Sequence, residues 1–245
     1  MSNLSTEEFY NDLADSYNDI IYRCAPRYEE MQQTMLEYIP SDLEPRQILD
    51  LGCGTGNLTL RVLEMFPEAQ ITALDLSEEI LGVCRRQCGD DRTTYLQQDF
   101  GQLDLPDAGF DLVVSSIAIH HIDDTAKQVL FRNVLASLRP NGIFTFVDQF
   151  RGETPAIYEK HMQVWKSFTD SKGVPSEEWQ MWMEHQDQHD FHATISEQMR
   201  WLSEAGFVEV DCIWKHVLWT LLTARKSGDE KCIPKLTLPG GPGYY

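Results

Sequence analysis

"ILDLGCGTGNLTL" occupies residues 48–60, and the reading of this stretch decides the fold. An apolar run ending in an acid, Asp50, reads as a buried strand. Glycines then stand at alternate positions, Gly52, Gly54 and Gly56, and a helical pattern follows. Glycine accepts positive φ and lets a ligand touch the backbone, so a strand, a glycine loop and a helix in series form a binding turn. The dinucleotide fingerprint spaces its glycines GxGxxG, and the phosphate loop ends in GKS or GKT. This loop is GxGxG, lacks Lys, and follows Asp50. A pyrophosphate gains little beside that carboxylate, whereas an ammonium or sulfonium group gains from it.

Working outward, strand-like and helix-like segments alternate. "TEEFYNDLADSYNDII" (6–21) and "RYEEMQQTMLEYI" (27–39) read as amphipathic helices, the first capped at Ser5 or Thr6 and the second stopped by Pro40. Strands follow at "AQITALDL" (69–76), "TTYLQQD" (93–99), "GFDLVVSSIAI" (109–119) and "IFTFVDQF" (143–150). Helices separate them, including one expected across "DDTAKQVLFRNVLASLRPNG" (123–142). Strands apolar along their whole length and alternating with helices predict a parallel sheet covered on both faces. Residues 151–192 break the alternation with polar-aromatic helical pieces. A helix at 196–207, with Gly206 as its cap, and a two-strand hairpin at 208–226 follow. Residues 227–245, rich in Gly and Pro, read as a flexible tail.

Composition narrows the function. The 245 residues carry 39 acids against 20 bases, a formal charge of -19. Such a surface repels nucleic acid and anionic membranes, which bind through clustered Lys and Arg. No apolar run approaches the roughly 20 residues of a membrane span, and no leader-like segment opens the chain, so a soluble cytoplasmic protein is expected. The six cysteines form no CxxC pair. Cys84 and Cys88, one helical turn apart, read as reduced packing thiols rather than a metal or redox pair.

Two more acids close strands. Asp75 stands 23 residues after Gly52, where a carboxylate can accept bonds from both hydroxyls of a ribose. Asp99, followed by Phe100, suits an adenine amino group with an aromatic beside the ring. Each acid alone could be a turn former; three at successive strand ends, one beside the glycine loop, indicate a nucleoside site.

In order and spacing, "LDLGCGTGNLT", "ALDLS", "QQDF" and "FDLVVSSIAIHHI" resemble the motifs of class I S-adenosylmethionine-dependent methyltransferases, most closely the small-molecule branch of ubiquinone and menaquinone biosynthesis. The resemblance implies a doubly wound, Rossmann-like α/β fold with seven strands, the last antiparallel. It implies S-adenosylmethionine as cofactor, with Gly52, Cys53, Gly54 and Gly56 at its methionine end and Asp50 near its amino group. Asp75 and Leu76 would hold the ribose, Asp99 and Phe100 the adenine. "LADSYND" resembles a segment that closes over the cofactor, making Tyr17 a contact.

A sulfonium methyl is already activated, so catalysis is chiefly the in-line positioning of a nucleophile. A hydroxyl or amine acceptor also needs a base. His120 and His121, just past the fourth strand, are the catalytic candidates, with a structural role in the pocket wall as the other reading. The 151–192 insertion concentrates Trp165, Trp179, Trp182, Met162, Met181, Met183 and four histidines. It reads as a lid that shapes a site for a small apolar or aromatic acceptor, or else as a helical pair packed on the main domain. "HQDQHDFH" places His185, His189 and His192 on one helical face at a spacing open to metal; local bonding is the expectation, and no metal is assigned. The whole of 1–226 forms one methyltransferase domain in this reading. The expected partners are a small methyl acceptor and no nucleic acid or membrane, with a homodimer left open. Two alternatives are a carboxy-S-adenosylmethionine synthase, for which Arg151 is the nearby cation, and a non-catalytic cofactor-binding regulator.

Overall fold

The 48–60 stretch forms β1 (Gln47–Leu51), the glycine loop and α4 (Asn57–Met65), in a computed structural model that describes residues 5–14 and 16–228. Before it stand α1 (Thr6–Leu13), α2 (Tyr17–Cys24) and α3 (Tyr28–Glu37). After it come β2 (Gln70–Asp75), α5 (Glu78–Cys88), β3 (Thr93–Gln97), β4 (Phe110–Ser116), α6 (Asp124–Ser137) and β5 (Leu138–Gln149). The insertion is a helix pair, α7 (Pro155–Ser171) and α8 (Ser176–His189). Next are α9 (Ile195–Ala205), β6 (Val208–His216) and β7 (Trp219–Arg225).

The seven strands lie in the order β3-β2-β1-β4-β5-β7-β6. The first five run parallel to one another, and β7 runs antiparallel to both β5 and β6. The doubly wound sheet and the terminal hairpin are therefore as the sequence predicts. The strand order reverses between β1 and β4, so their carboxyl ends splay and leave a crevice. Period-two alternation splits the core: Ile48 faces the layer of α3 and α4, while Leu49 and Leu51 face α6 and α9. All three are fully buried, and each such side chain contributes about 1.5–3 kcal/mol.

Local chemistry sets the helix ends. Ser5 and Glu8 form a capping box at α1, Ser77 accepts from the Ile80 N–H at α5, and Gly206 ends α9 in the left-handed region. Three expectations differ. The single helix expected over 6–21 is broken between Leu13 and Tyr17, where the Ser16 N–H and hydroxyl both bond the Leu13 carbonyl. The helix expected to reach 142 stops at Ser137, because Leu138 already pairs with Phe110 of β4 and Pro140 cannot continue a helix. The third concerns His192, which lies beyond the end of α8 and shares no helical face with His185 and His189. Of the expected tail, 229–245 lies outside the described residues.

Candidate active site

The glycine loop is held by the end of β2. Gly52 and Cys53 donate their N–H groups to the Leu74 carbonyl at 2.8 and 2.9 Å. The Asp75 carboxylate accepts from the Gly54 N–H at 2.9 Å and the Ser77 N–H at 3.1 Å. All three glycines have positive φ (72°, 54° and 93°), yet they are glycines for different reasons. A Cβ on Gly52 would lie 2.3 Å from the Ala118 Cβ, and one on Gly56 within 3 Å of the Cys84 and Cys88 sulfurs. A Cβ on Gly54 would meet nothing within 4 Å. Gly54 therefore opens onto space, whereas Gly56 stands behind the loop against α5, with Cys84 and Cys88 as packing thiols.

That space is a cavity of about 1000 Å³ including its mouth, at the carboxyl ends of β1, β2 and β4. Its walls include Tyr17, Asp50, Gly52, Cys53, Gly54, Asp75, Leu76, Asp99, Phe100 and His121. Of the cofactor-binding and catalytic candidates, Gly56 and His120 are not in its wall. Asp50 is fully buried; its Oδ2 accepts from the Thr59 hydroxyl at 2.6 Å, while Oδ1 has no partner among the described residues. Burial raises its carboxyl, the Thr59 bond opposes, and Asp75 adds to the rise, bringing it to about 7. Asp99 accepts from the Gly101 N–H at 2.7 Å, fixing the turn that carries Phe100.

A second cavity of about 500 Å³ adjoins the first, sharing Tyr10, Tyr17 and Ile117 in its wall. Trp165 and Trp182 of the helix pair, Trp219 of β7 and Gln149 enclose it. Five buried polar atoms of its wall residues are unpartnered among the described residues: Gln149 Oε1, Gln186 Oε1, Trp182 Nε1, His185 Nε2 and Trp219 Nε1. Neither cavity has a Lys or Arg among its described lining residues. Arg151 instead pairs with Glu197 at 3.1 Å on the exterior.

The two histidines diverge. His121 reaches the larger cavity, its Nε2 3.0 Å from the Tyr10 hydroxyl and its Nδ1 3.0 Å from Asp190 Oδ1. His120 lines the smaller cavity, with Nδ1 2.5 Å from Asp148 Oδ1 and its backbone N–H on Oδ2. Burial alone would lower the His120 pKa; Asp148 and Asp190 outweigh it and raise it. His121 goes the other way, lowered by burial and by His120.

Residues 48–142 match the sequence profile described as a methyltransferase domain. The chain is 32% identical over 127 residues to a malonyl-[acyl-carrier protein] O-methyltransferase of Bacillus cytotoxicus, covering 49% of this chain and 44% of that one. It is 21% identical over 222 residues to a carboxy-S-adenosyl-L-methionine synthase of Campylobacter hominis, covering 89% and 94%. An S-adenosylmethionine-dependent methyltransferase from Mesorhizobium loti superposes with a TM-score of 0.58 at 24% identity, over 79% of this chain and 96% of that one. Residues 48–142 thus carry a methyltransferase domain, and these likenesses support a class I S-adenosylmethionine-dependent methyltransferase. The chain spans under half the length of the first relative and nearly all of the second.

Tyr10, Asp148 and Asp190 also belong to this site and are not among the residues the sequence motifs single out. Two of them carry a sequence signal. Tyr10 stands seven residues before Tyr17, and the two rings meet edge to face at 5.8 Å. Asp148 is an acid inside an apolar strand, which requires a buried partner. Asp190, set among histidines in sequence, has no such signal, because its partners come from the turn after β4.

Proposed function

We propose that this methyltransferase moves the methyl group of S-adenosylmethionine to a small aromatic molecule that is uncharged or cationic. The observation that carries the reading is the unpartnered, buried Oδ1 of Asp50 in the wall of a cavity onto which Gly54 opens. A buried carboxylate oxygen without a partner is costly, and an amino acid ammonium satisfies it. Asp75 is the ribose acceptor in this reading, with Leu76 beside it; Asp99 and Phe100 take the adenine, and Tyr17 covers the site. Gly52, Cys53 and Gly54 present the backbone, while Gly56 acts by letting α5 pack behind the loop. The bound cofactor supplies an electrophilic methyl group; the protein supplies position and a dry site.

The acceptor occupies the smaller cavity. Its indole walls fit a planar ring, and its unpartnered amide oxygens and indole N–H groups fit hydroxyl, amine or carbonyl substituents. Because the described lining lacks Lys and Arg, a carboxylate-bearing acceptor or a carboxylated cofactor has no counter-ion there. That speaks against the synthase alternative, since Arg151 is engaged by Glu197 outside the cavities. His121, in the wall of the larger cavity, takes the proton of an acceptor hydroxyl through the Tyr10 phenol, which both cavities share. Tyr10 bonds its Nε2, while Asp190 holds its Nδ1; His120 lines the acceptor cavity beside it. The α7–α8 pair is the lid in this reading.

Incubating the full chain with methyl-labelled S-adenosylmethionine and a metabolite extract tests the proposal. Label is expected in a neutral or basic aromatic product. Tight cofactor binding without any transfer supports a regulator instead, and label in an acidic product overturns the acceptor class.

A pH dependence follows from Asp50. With its carboxyl near 7, most of the chain is protonated there at pH 6, and only the ionised form pairs with an ammonium. The titratable groups around it are Asp75, Tyr28, Cys53, Cys84 and Cys88. Cofactor affinity is therefore expected to rise about fivefold from pH 6 to pH 7. Calorimetry at the two pH values checks it; Asp50→Asn should flatten the response.

A further inference from the structure

The smaller cavity joins aromatic walls to a surplus of hydrogen-bond acceptors. Five rings line it: Tyr10, Tyr17, Trp165, Trp182 and Trp219. Tyr10 meets Tyr17 at 5.8 Å and 68°, and Trp165 meets Trp219 at 5.3 Å and 84°. In such edge-to-face pairs the ring that offers its edge keeps both faces free, and an aromatic face attracts a cation. Gln149 Oε1 and Gln186 Oε1 are buried acceptors without a partner among the described residues. The Gln186 amide nitrogen donates to the Tyr158 hydroxyl at 3.3 Å, which leaves its oxygen as the free end. Gln149 is only 9% exposed, and an acceptor so buried needs a donor.

Charge points the same way. Asp190 lies in this wall. Burial alone would raise its carboxyl; His120 and the His121 bond outweigh burial and lower it, so it is ionised. The surrounding histidines do not cancel that charge. Burial lowers His121, and it takes His185 to about 3 and His192 to about 4, so these imidazoles are neutral. His120 is the wall histidine whose pKa is raised, and Asp148 already pairs with it at 2.5 Å. Two carboxylates thus share one imidazolium. Lys127, bonded by the Phe191 carbonyl and by Asp124, is not among the lining residues.

We infer that the smaller cavity is a cage for an ammonium group, and that the acceptor is a small aromatic amine bearing a hydroxyl. Naming the acceptor rests on the methyltransferase reading above, whereas the cage does not. The ammonium N–H groups donate to the Gln149 and Gln186 oxygens, the charge faces Asp190, and the adjoining carbons lie against the rings. A neutral substituent satisfies an amide oxygen but brings no charge to Asp190. The amine serves recognition, because a nitrogen held as ammonium has no lone pair with which to accept a methyl group. The acceptor's nucleophile is then its hydroxyl, at Tyr10, where the two cavities meet. The unpartnered indole N–H groups of Trp182 and Trp219 remain for an oxygen of the acceptor.

The test needs no turnover. Three phenols of equal length differ in the charge of their tails: tyramine is cationic, p-propylphenol neutral and p-hydroxyphenylpropionate anionic. Each is titrated into the full chain by calorimetry at neutral pH. Tyramine should bind at millimolar concentration or tighter and at least tenfold more tightly than p-propylphenol, and the propionate should not bind. Trp182→Leu and Asp190→Asn should each cut the tyramine preference at least threefold with unaltered far-UV circular dichroism, while His216→Gln on β6 should leave it unchanged. If neither variant folds, the wild-type comparison decides. A tyramine preference under tenfold, binding of the propionate, or no binding of tyramine overturns the cage, as does a preference unchanged in both folded variants. Selective tyramine binding by a chain that transfers no methyl group leaves the cage standing and removes the function proposed above. Methyl transfer to an acceptor without an amine does the reverse.

Discussion

Replacing Asp75 by Ala is expected to weaken S-adenosylmethionine binding at least a hundredfold, about 2.7 kcal/mol. Two effects add. The proposed ribose contacts are hydrogen bonds to a charged group, each worth roughly 1.5–3 kcal/mol. The same carboxylate holds the Gly54 and Ser77 N–H groups, so its loss also frees the loop that presents the backbone. Asp75→Asn separates the effects, since its amide oxygen can still accept from the Gly54 N–H but cannot serve both N–H groups and a ligand. Its affinity should fall between wild type and Asp75→Ala. Isothermal calorimetry on the three chains measures this, and an Asp75→Ala affinity within threefold of wild type would take Asp75 out of the site.

Trp165→Ala is expected to destabilise the fold by about 3–5 kcal/mol, the range for emptying a buried large aromatic. Trp165 is 6% exposed and donates its indole N–H to the Cys24 carbonyl at 2.7 Å. Its ring meets Trp219 of β7 at 5.3 Å and Trp179 of α8 at 4.9 Å. At a few degrees per kcal/mol for a chain of this size, the melting temperature should drop by about 10 °C. The packing of Trp165 supports the packed-pair reading for α7, and the lid role of the insertion stays a proposal. The α7 helix is bound into the core through Trp165, while α8 carries Trp182 and His185 to the cavity wall. Excising 151–192 should then unfold the chain, whereas Trp182→Ala should change acceptor use with a smaller loss of stability. A melting temperature lowered by less than 3 °C in Trp165→Ala would show α7 to be a detachable cover.

The sheet, its doubly wound layering and the three acids at strand ends were legible in the sequence because each depends on neighbours in the chain. A run of apolar residues, a glycine loop and a capped helix specify one β–loop–α unit within about 20 residues. The loop's positive φ values likewise follow from its glycines. Boundaries were less legible where a distant strand competed: α6 gave way to β5 because Leu138 found Phe110.

Only the tertiary structure decided what the side chains around that frame do. Gly52 and Gly56 look like Gly54 in sequence, yet Ala118 and the cysteines of α5 determine that they cannot carry a Cβ. His120 and His121 look equivalent, yet Asp148 draws one into the interior, and Tyr10, 111 residues away, meets the other at the cavity. His192 shares no helical face with His185, yet both face Asp190. Periodicity reports which face of an element is buried, but not which side chain of a remote element it will meet there. Those partners are set by the packing of α1 and α8 across the crevice, where close approach replaces water with specific neighbours.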